Sequence, residues 1–220
     1  MNKIAKLLIG ISLLVILVFC WLYLREESPK NHQFYTAELP EKFTKTDSYE
    51  RYDLANKFVL YVDFSKSRNK RRLWVVDHGK VIATSYTSQG SGSVWTRSNF
   101  EVPKKFSNTF GSNQSSLGLF RINFIRKMNP PYEKHNCSCE EFVNNKKCAH
   151  WALKFPLNGL EETNNASLDR GILIHAARYV SENGCIGNSD GCFVVSPEVF
   201  ELLQNKKWLP WEKWYLLAVN

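Results

Sequence analysis

The stretch Arg170–Ser196 reads RGILIHAARYVSENGCIGNSDGCFVVS. His175 sits inside an apolar run. A polar, glycine-containing segment follows, and Ser189-Asp190-Gly191-Cys192 leads into a second apolar run, Phe193-Val194-Val195. Run, loop, run predicts two buried β-strands joined by a functional connection. The pattern puts an imidazole on one strand and a thiol at the mouth of the other. That is the minimum equipment for thiolate acyl-transfer chemistry. Gly191 removes a Cβ beside the thiol, where a substrate backbone would approach. The N–H groups around Gly191 and Cys192 are candidate oxyanion donors.

Working outward, Phe58–Phe64 (FVLYVDF) is rich in β-formers. Leu73–Val76 and Val81–Ala83 flank Asp77-His78-Gly79-Lys80, which signals a hairpin. From Thr87 to Gly118 the chain is rich in glycine and serine, and it is expected to be loop lying against a site rather than core. Ser196-Pro197-Glu198 has the serine cap, first-turn proline and acidic residue of a helix start, and the helix should run to about Asn205. Trp214–Val219 is a closing strand. The sequence therefore predicts a mainly β, α+β domain with short helices.

The N-terminus is different in kind. Leu7–Leu24 (LLIGISLLVILVFCWLYL) is apolar throughout, with Lys3 and Lys6 before it and Arg25 after it. Its length suits a membrane-spanning helix. It lacks the small-residue end of a cleaved signal, and its Trp21 and Tyr23 suit a membrane interface. Residues 1–25 are thus expected to be an uncleaved anchor with the N-terminus inside. Residues 26–55 are expected to form a polar tether, and 56–220 the functional domain. The net charge of +8 is mild for 220 residues. The one tight basic cluster, Arg68, Lys70, Arg71 and Arg72, reads as a solvated turn between strands. Without interleaved aromatics it gives no nucleic-acid groove, so nucleic acid is excluded as a partner. Outside the cytoplasm, such a protein meets anionic wall polymer.

Three blocks carry a family resemblance. Phe106–Phe120 (FSNTFGSNQSSLGLF), Ile172–Ser181 (ILIHAARYVS) and Gly187–Cys192 (GNSDGC) occur in that order. Together they resemble the murein L,D-transpeptidase catalytic domain family, a branch of the cysteine L,D-transpeptidase (YkuD-like) superfamily. The resemblance implies a β-sandwich or barrel that acts on peptidoglycan stem peptides from the outer side of a bacterial cytoplasmic membrane, as an L,D-transpeptidase or L,D-carboxypeptidase. It implies Cys192 as nucleophile and His175 as base, with the Ala176 backbone orienting the base and Gly191 beside the nucleophile. Ser189, Tyr179 and Ser116 are the implied substrate-binding residues, and Asp190 is expected beside them by its place in the loop. No cofactor is required for this chemistry. The sequence departs from the branch at Asn188, where arginine is usual, at Asp190, where tryptophan or histidine is usual, and at Phe193, where proline is usual. A carboxylate at Asp190 would disfavour the Cys192 thiolate if close.

A second cluster lies in an insertion at 129–150. Cys137-x-Cys139 and Cys148-x-His150 have spacing that resembles a SWIM-type zinc motif, and three thiolates with an imidazole make a sensible tetrahedral set. Disulfides are the competing reading outside the cytoplasm, with Cys185 completing an even number, and free thiols are the third. A structural zinc is therefore one expectation for this segment. The alternative function is a non-catalytic, membrane-tethered zinc-binding interaction module with a decayed active site.

Overall fold

A computed structural model describes residues 34–94, 101–123, 154–177, 179–181, 186–206 and 211–220. The anchor segment Leu7–Leu24, the Cys137–His150 cluster and Cys185 lie outside the described residues. Among the described residues no helix is long and apolar enough to cross a membrane.

Eight strands form one sheet: β1 Phe58–Asp63, β2 Leu73–Asp77, β3 Lys80–Ser85, β4 Gly118–Ile122, β5 Phe155–Gly159, β6 Leu173–Ala176, β7 Phe193–Val195 and β8 Trp214–Val219. Their order is β3-β2-β1-β8-β4-β5-β6-β7. The closing strand β8 lies mid-sheet, parallel to β1 and antiparallel to β4. The chain leaving β3 reaches the far end of this order. Thr87 bridges Val195 on β7, Thr87 Oγ1 donates to Val194 O at 2.9 Å, and Ser88 N–H donates to the same carbonyl at 3.0 Å. The sheet thereby rolls into a nearly closed barrel, which removes most of its exposed edge.

Strand periodicity explains the core. On β1, Phe58, Leu60 and Val62 enter a core shared with Phe120, Phe155, Phe193, Phe200 and Leu216. Val59 and Tyr61 face the other way, into a second core with Trp74, Leu119 and Leu217. Both faces of β1 are covered, so it reads as a continuous apolar run. The outer core is sealed by residues expected to be tether. Glu41–Thr44 (α1) and Asp47–Arg51 (α2) are short helices, and Leu54–Asn56 is a single 3₁₀ turn. Phe43 and Leu54 are wholly buried against the outer face. The compact unit begins at Phe34, so only the chain before it remains as a candidate tether. The polar composition of residues 26–55 hid two anchoring side chains.

The hairpin expectation holds to the residue. Asp77 pairs Lys80 across a two-residue turn in which His78 and Gly79 both have positive φ (48° and 78°). That is the turn type whose twist matches the strands. The helix Pro197–Asn205 (α3) is capped as its sequence indicates, with Val199 N–H donating to Ser196 Oγ at 3.3 Å.

Two expectations are corrected. The basic cluster is not a solvated turn: Arg68 and Arg72 are buried and only Lys70 is exposed. Arg71 stacks between the rings of Tyr35 and Tyr86. The serine-rich stretch after β3 is loop lying against the Ser189 turn, as expected, but it is also core. Thr87, Ser88, Gln89, Ser93, Ser115 and Ser116 are wholly buried, as a polar layer whose hydroxyls and amides bond one another.

Candidate active site

β6 and β7 run parallel, with Ile174 opposite Phe193, His175 opposite Val194 and Ala176 opposite Val195. Opposed residues point to the same face, and side chains alternate along a strand. Cys192, two residues before Val194, therefore shares a face with His175. The imidazole is buried, and its Nδ1 lies 3.1 Å from Ala176 O. That contact fits an Nδ1–H donated to the carbonyl, which leaves Nε2 as the basic nitrogen. The Cys192 thiol is partly exposed and contacts Gly171 O at 3.7 Å.

The environment of the thiol is mixed. Burial pushes its pKa up. The Leu173 N–H and the Lys154 cation pull it down, Asp190 pushes it up, and Arg170 pulls it down, with the upward influences prevailing. Asp190 is exposed. Tyr179 is buried, and its hydroxyl is held well above the usual range, first by burial and then by the facing Cys192 and Asp190. Tyr179 packs with Val194, and Tyr86 and Cys192 rest against the same apolar cluster.

Ser189 organises the turn into Cys192. Its Oγ donates to Cys192 O at 2.7 Å and accepts from Gly191 N–H at 3.2 Å. The Gly191 N–H is thus turned into the loop and does not point outward as an oxyanion donor. Gly191 has φ +121°, and a Cβ there would stand 2.9 Å from Gln114 O and 2.9 Å from Ile172 Cδ1. Its glycine is required by the protein's own loop, not by an approaching substrate. Ser116 is wholly buried. It donates to Ser107 O at 2.8 Å and accepts from Arg170 Nη1 at 2.7 Å. It reaches the site only through Arg170.

The loop is docked from below. Ser189 N–H donates to Gln89 O at 2.9 Å, and Ser91 N–H donates to Ser189 O at 2.7 Å. Asn188 Oδ1 accepts from Arg68 Nη1 at 2.6 Å and from Gln89 Nε2 at 3.3 Å. At the position where the branch carries arginine, a guanidinium arrives instead from the β1–β2 connection. Beneath it Arg72 donates to Thr87 O at 2.8 and 3.1 Å, to Lys66 O at 2.9 Å, and to Gln89 Oε1. Burial and the neighbouring Arg68 push Arg72 down to about 9, so it stays a cation at neutral pH.

Arg170, Lys154 and Gln89 carry no local signal for the site, and Arg68 reads only as part of a solvated turn. Arg170 heads the decisive stretch, and Arg68 belongs to the basic cluster, so both were visible as residues. What they touch is set by strand pairing distant in sequence. Among the described residues one further group has spacing suited to a metal, Asp77, His78 and Glu212, at the opposite end of the β2 strand from the loop. Lys206 Nζ already lies 2.5 Å from Asp77 Oδ2 there.

A family model described as "L,D-transpeptidase catalytic domain" matches residues 30–129 and 133–207. No curated protein sequence matches the chain. Among solved structures, it is similar to an L,D-transpeptidase from Xylanimonas cellulosilytica (15% identity, 74% of this chain, 61% of that one, TM-score 0.39). It is also similar to a variant of the Enterococcus faecium L,D-transpeptidase (13%, 74% and 50%, 0.40) and to an L,D-transpeptidase from Mycobacterium smegmatis (11%, 74% and 59%, 0.41). The chain spans about half to three-fifths of the length of these structures. With most of its length matched by the family model, the chain belongs to the L,D-transpeptidase catalytic domain family.

Proposed function

We propose that the protein is a membrane-anchored cysteine acyltransferase of the bacterial cell wall, acting on peptidoglycan stem peptides as an L,D-transpeptidase or L,D-carboxypeptidase. The observation that carries this is the shared face of Cys192 and His175 on paired strands, with His175 Nδ1 tied to Ala176 O. His175 Nε2 takes the thiol proton, and the Cys192 sulfur attacks the carbonyl of the third stem residue. The peptide C–N bond breaks, D-alanine leaves with the proton from His175, and a thioester remains on Cys192. An amine acceptor, or water, then attacks the thioester and releases the thiol. Family membership supports the substrate class, and Leu7–Leu24 supports placement of the site outside the cytoplasmic membrane. No cofactor is required for these steps.

The test is incubation of the full-length protein with a purified tetrapeptide muropeptide, read by mass spectrometry, alongside a carbapenem. Loss of one D-alanine, or dimer formation, together with a covalent adduct at Cys192, is the expected result. Zinc retention without adduct or turnover would instead establish the non-catalytic zinc-binding module suggested by Cys137, Cys139, Cys148 and His150.

A further inference from the structure

β5 runs antiparallel to β6, with Phe155 opposite Ile174 and Pro156 opposite Leu173. Carried one residue past the end of β5, the same register would set Lys154 opposite His175. His175 in turn stands opposite Val194, and Cys192 lies two residues before it. Lys154, His175 and Cys192 therefore face one side of three adjacent strand paths. Two strand spacings of about 4.8 Å separate the lysine from the thiol strand, a gap that a four-carbon stem and a bound peptide together bridge.

The two cations beside the thiol are used differently. Arg170 donates to Ser107 O at 2.6 Å, Ser116 Oγ at 2.7 Å, Gln114 O at 2.8 Å and Ser112 Oγ at 3.2 Å. Its fork is committed to the loop behind the site. Lys154 is half-buried, and no hydrogen bond or ion pair ties it to another described residue.

We propose that Lys154 recognises a carboxylate at the mouth of the Cys192 site: its ammonium binds the free α-carboxylate of the residue that leaves when Cys192 is acylated. The proposal deepens the acyl-transfer function and rests on it for the identity of the donor. It agrees with the chemistry of the leaving group, whose carboxylate sits one Cα beyond the departing nitrogen. It also agrees with the downward pull that the Lys154 cation exerts on the Cys192 thiol. A point-charge ammonium suits a carboxylate that must arrive and depart with each turnover.

The experiment compares S-alkylation of Cys192 by iodoacetate and by iodoacetamide in the full-length protein, with the Cys192 peptide quantified by mass spectrometry. Both reagents form the same S–C bond and expel iodide, and only one carries a carboxylate. A change in thiolate population alters both rates together, so their ratio reads how the charge at the site treats the carboxylate. Lys154→Gln should lower the iodoacetate-to-iodoacetamide ratio by about fivefold, and Lys154→Arg should restore most of it. An unchanged ratio in Lys154→Gln overturns the proposal, even if both rates fall. With the tetrapeptide donor, amidating the terminal carboxylate should raise KM about tenfold in the wild type and leave Lys154→Gln indifferent. Equal sensitivity to amidation in both proteins overturns it as well. A ratio that follows Lys154 in a protein without acyl transfer would uphold the carboxylate site and remove only the transpeptidase function.

Discussion

Cys192 is a thiol whose surroundings oppose one another, and the opposition can be measured. Burial and Asp190 favour the neutral form, and the Leu173 N–H, Lys154 and Arg170 favour the thiolate. Replacing Asp190 by asparagine removes a negative charge that the thiolate must face. The thiol pKa should fall, the alkylation rate against pH should shift to lower pH, and the rate at pH 7 should rise about two- to fivefold. An unshifted midpoint would mean that Asp190 turns away from the sulfur in solution. In the proposed mechanism His175 acts on the same atom by a different route, proton transfer through Nε2. Cys192→Ala and His175→Ala should each abolish acyl transfer, and the double variant should be no worse than either alone, because the pair works as a unit. Retained turnover in Cys192→Ala would end the thioester mechanism.

At the scale of elements, the loop that presents Cys192 owes its position to two buried arginines. Arg72 spends its guanidinium on Thr87 O, Lys66 O and Gln89 Oε1, while Arg68 holds Asn188. Arg72→Lys keeps the charge but cannot reproduce the fork, and it leaves buried acceptors without a donor. Thermal unfolding of the full-length protein should show a loss of about 2 kcal/mol, or a Tm lower by roughly 4–8 °C. Lys70→Ala, two residues away and exposed, should stay within about 0.5 kcal/mol. Equal effects would return the cluster to the solvated turn its composition suggests. The contrast shows where the sequence is legible. Features written in local order were readable: the His78-Gly79 hairpin turn, the Ser196 cap, β8, and the runs that carry His175 and Cys192. Features created by distant pairing were not. β4 follows a glycine- and serine-rich stretch, and β5 contains Pro156, so each looks like loop by itself. They become strands because β8 and β4 supply partners. Arg170 and Lys154 join the site through the same long-range register, and Gly191 is explained by Gln114, far away in sequence.

For the whole molecule, the placement of the barrel decides whether the chemistry has a substrate. Crosslinked peptidoglycan lies outside the cytoplasmic membrane, so a wall-acting Cys192 must lie there too. Leu7–Leu24 is long enough to span as a helix, Lys3 and Lys6 favour an inside N-terminus, and the missing small-residue end argues against cleavage. The compact unit starts at Phe34, and in sequence residues 25–33 lie between it and Leu24. Covalent geometry limits such a link to about 30 Å at full extension. On the proposed anchoring, strands close to the membrane, including newly made ones, are the wall within reach. Membrane fractions should retain the full-length protein, and a protease added to intact spheroplasts should remove the unit Phe34–Asn220. The Cys192 peptide should disappear from the protected fraction at the same time. If the unit instead survives until the membrane is opened, it resides in the cytoplasm, where there is no crosslinked wall, and the transpeptidase function fails whatever the geometry at Cys192.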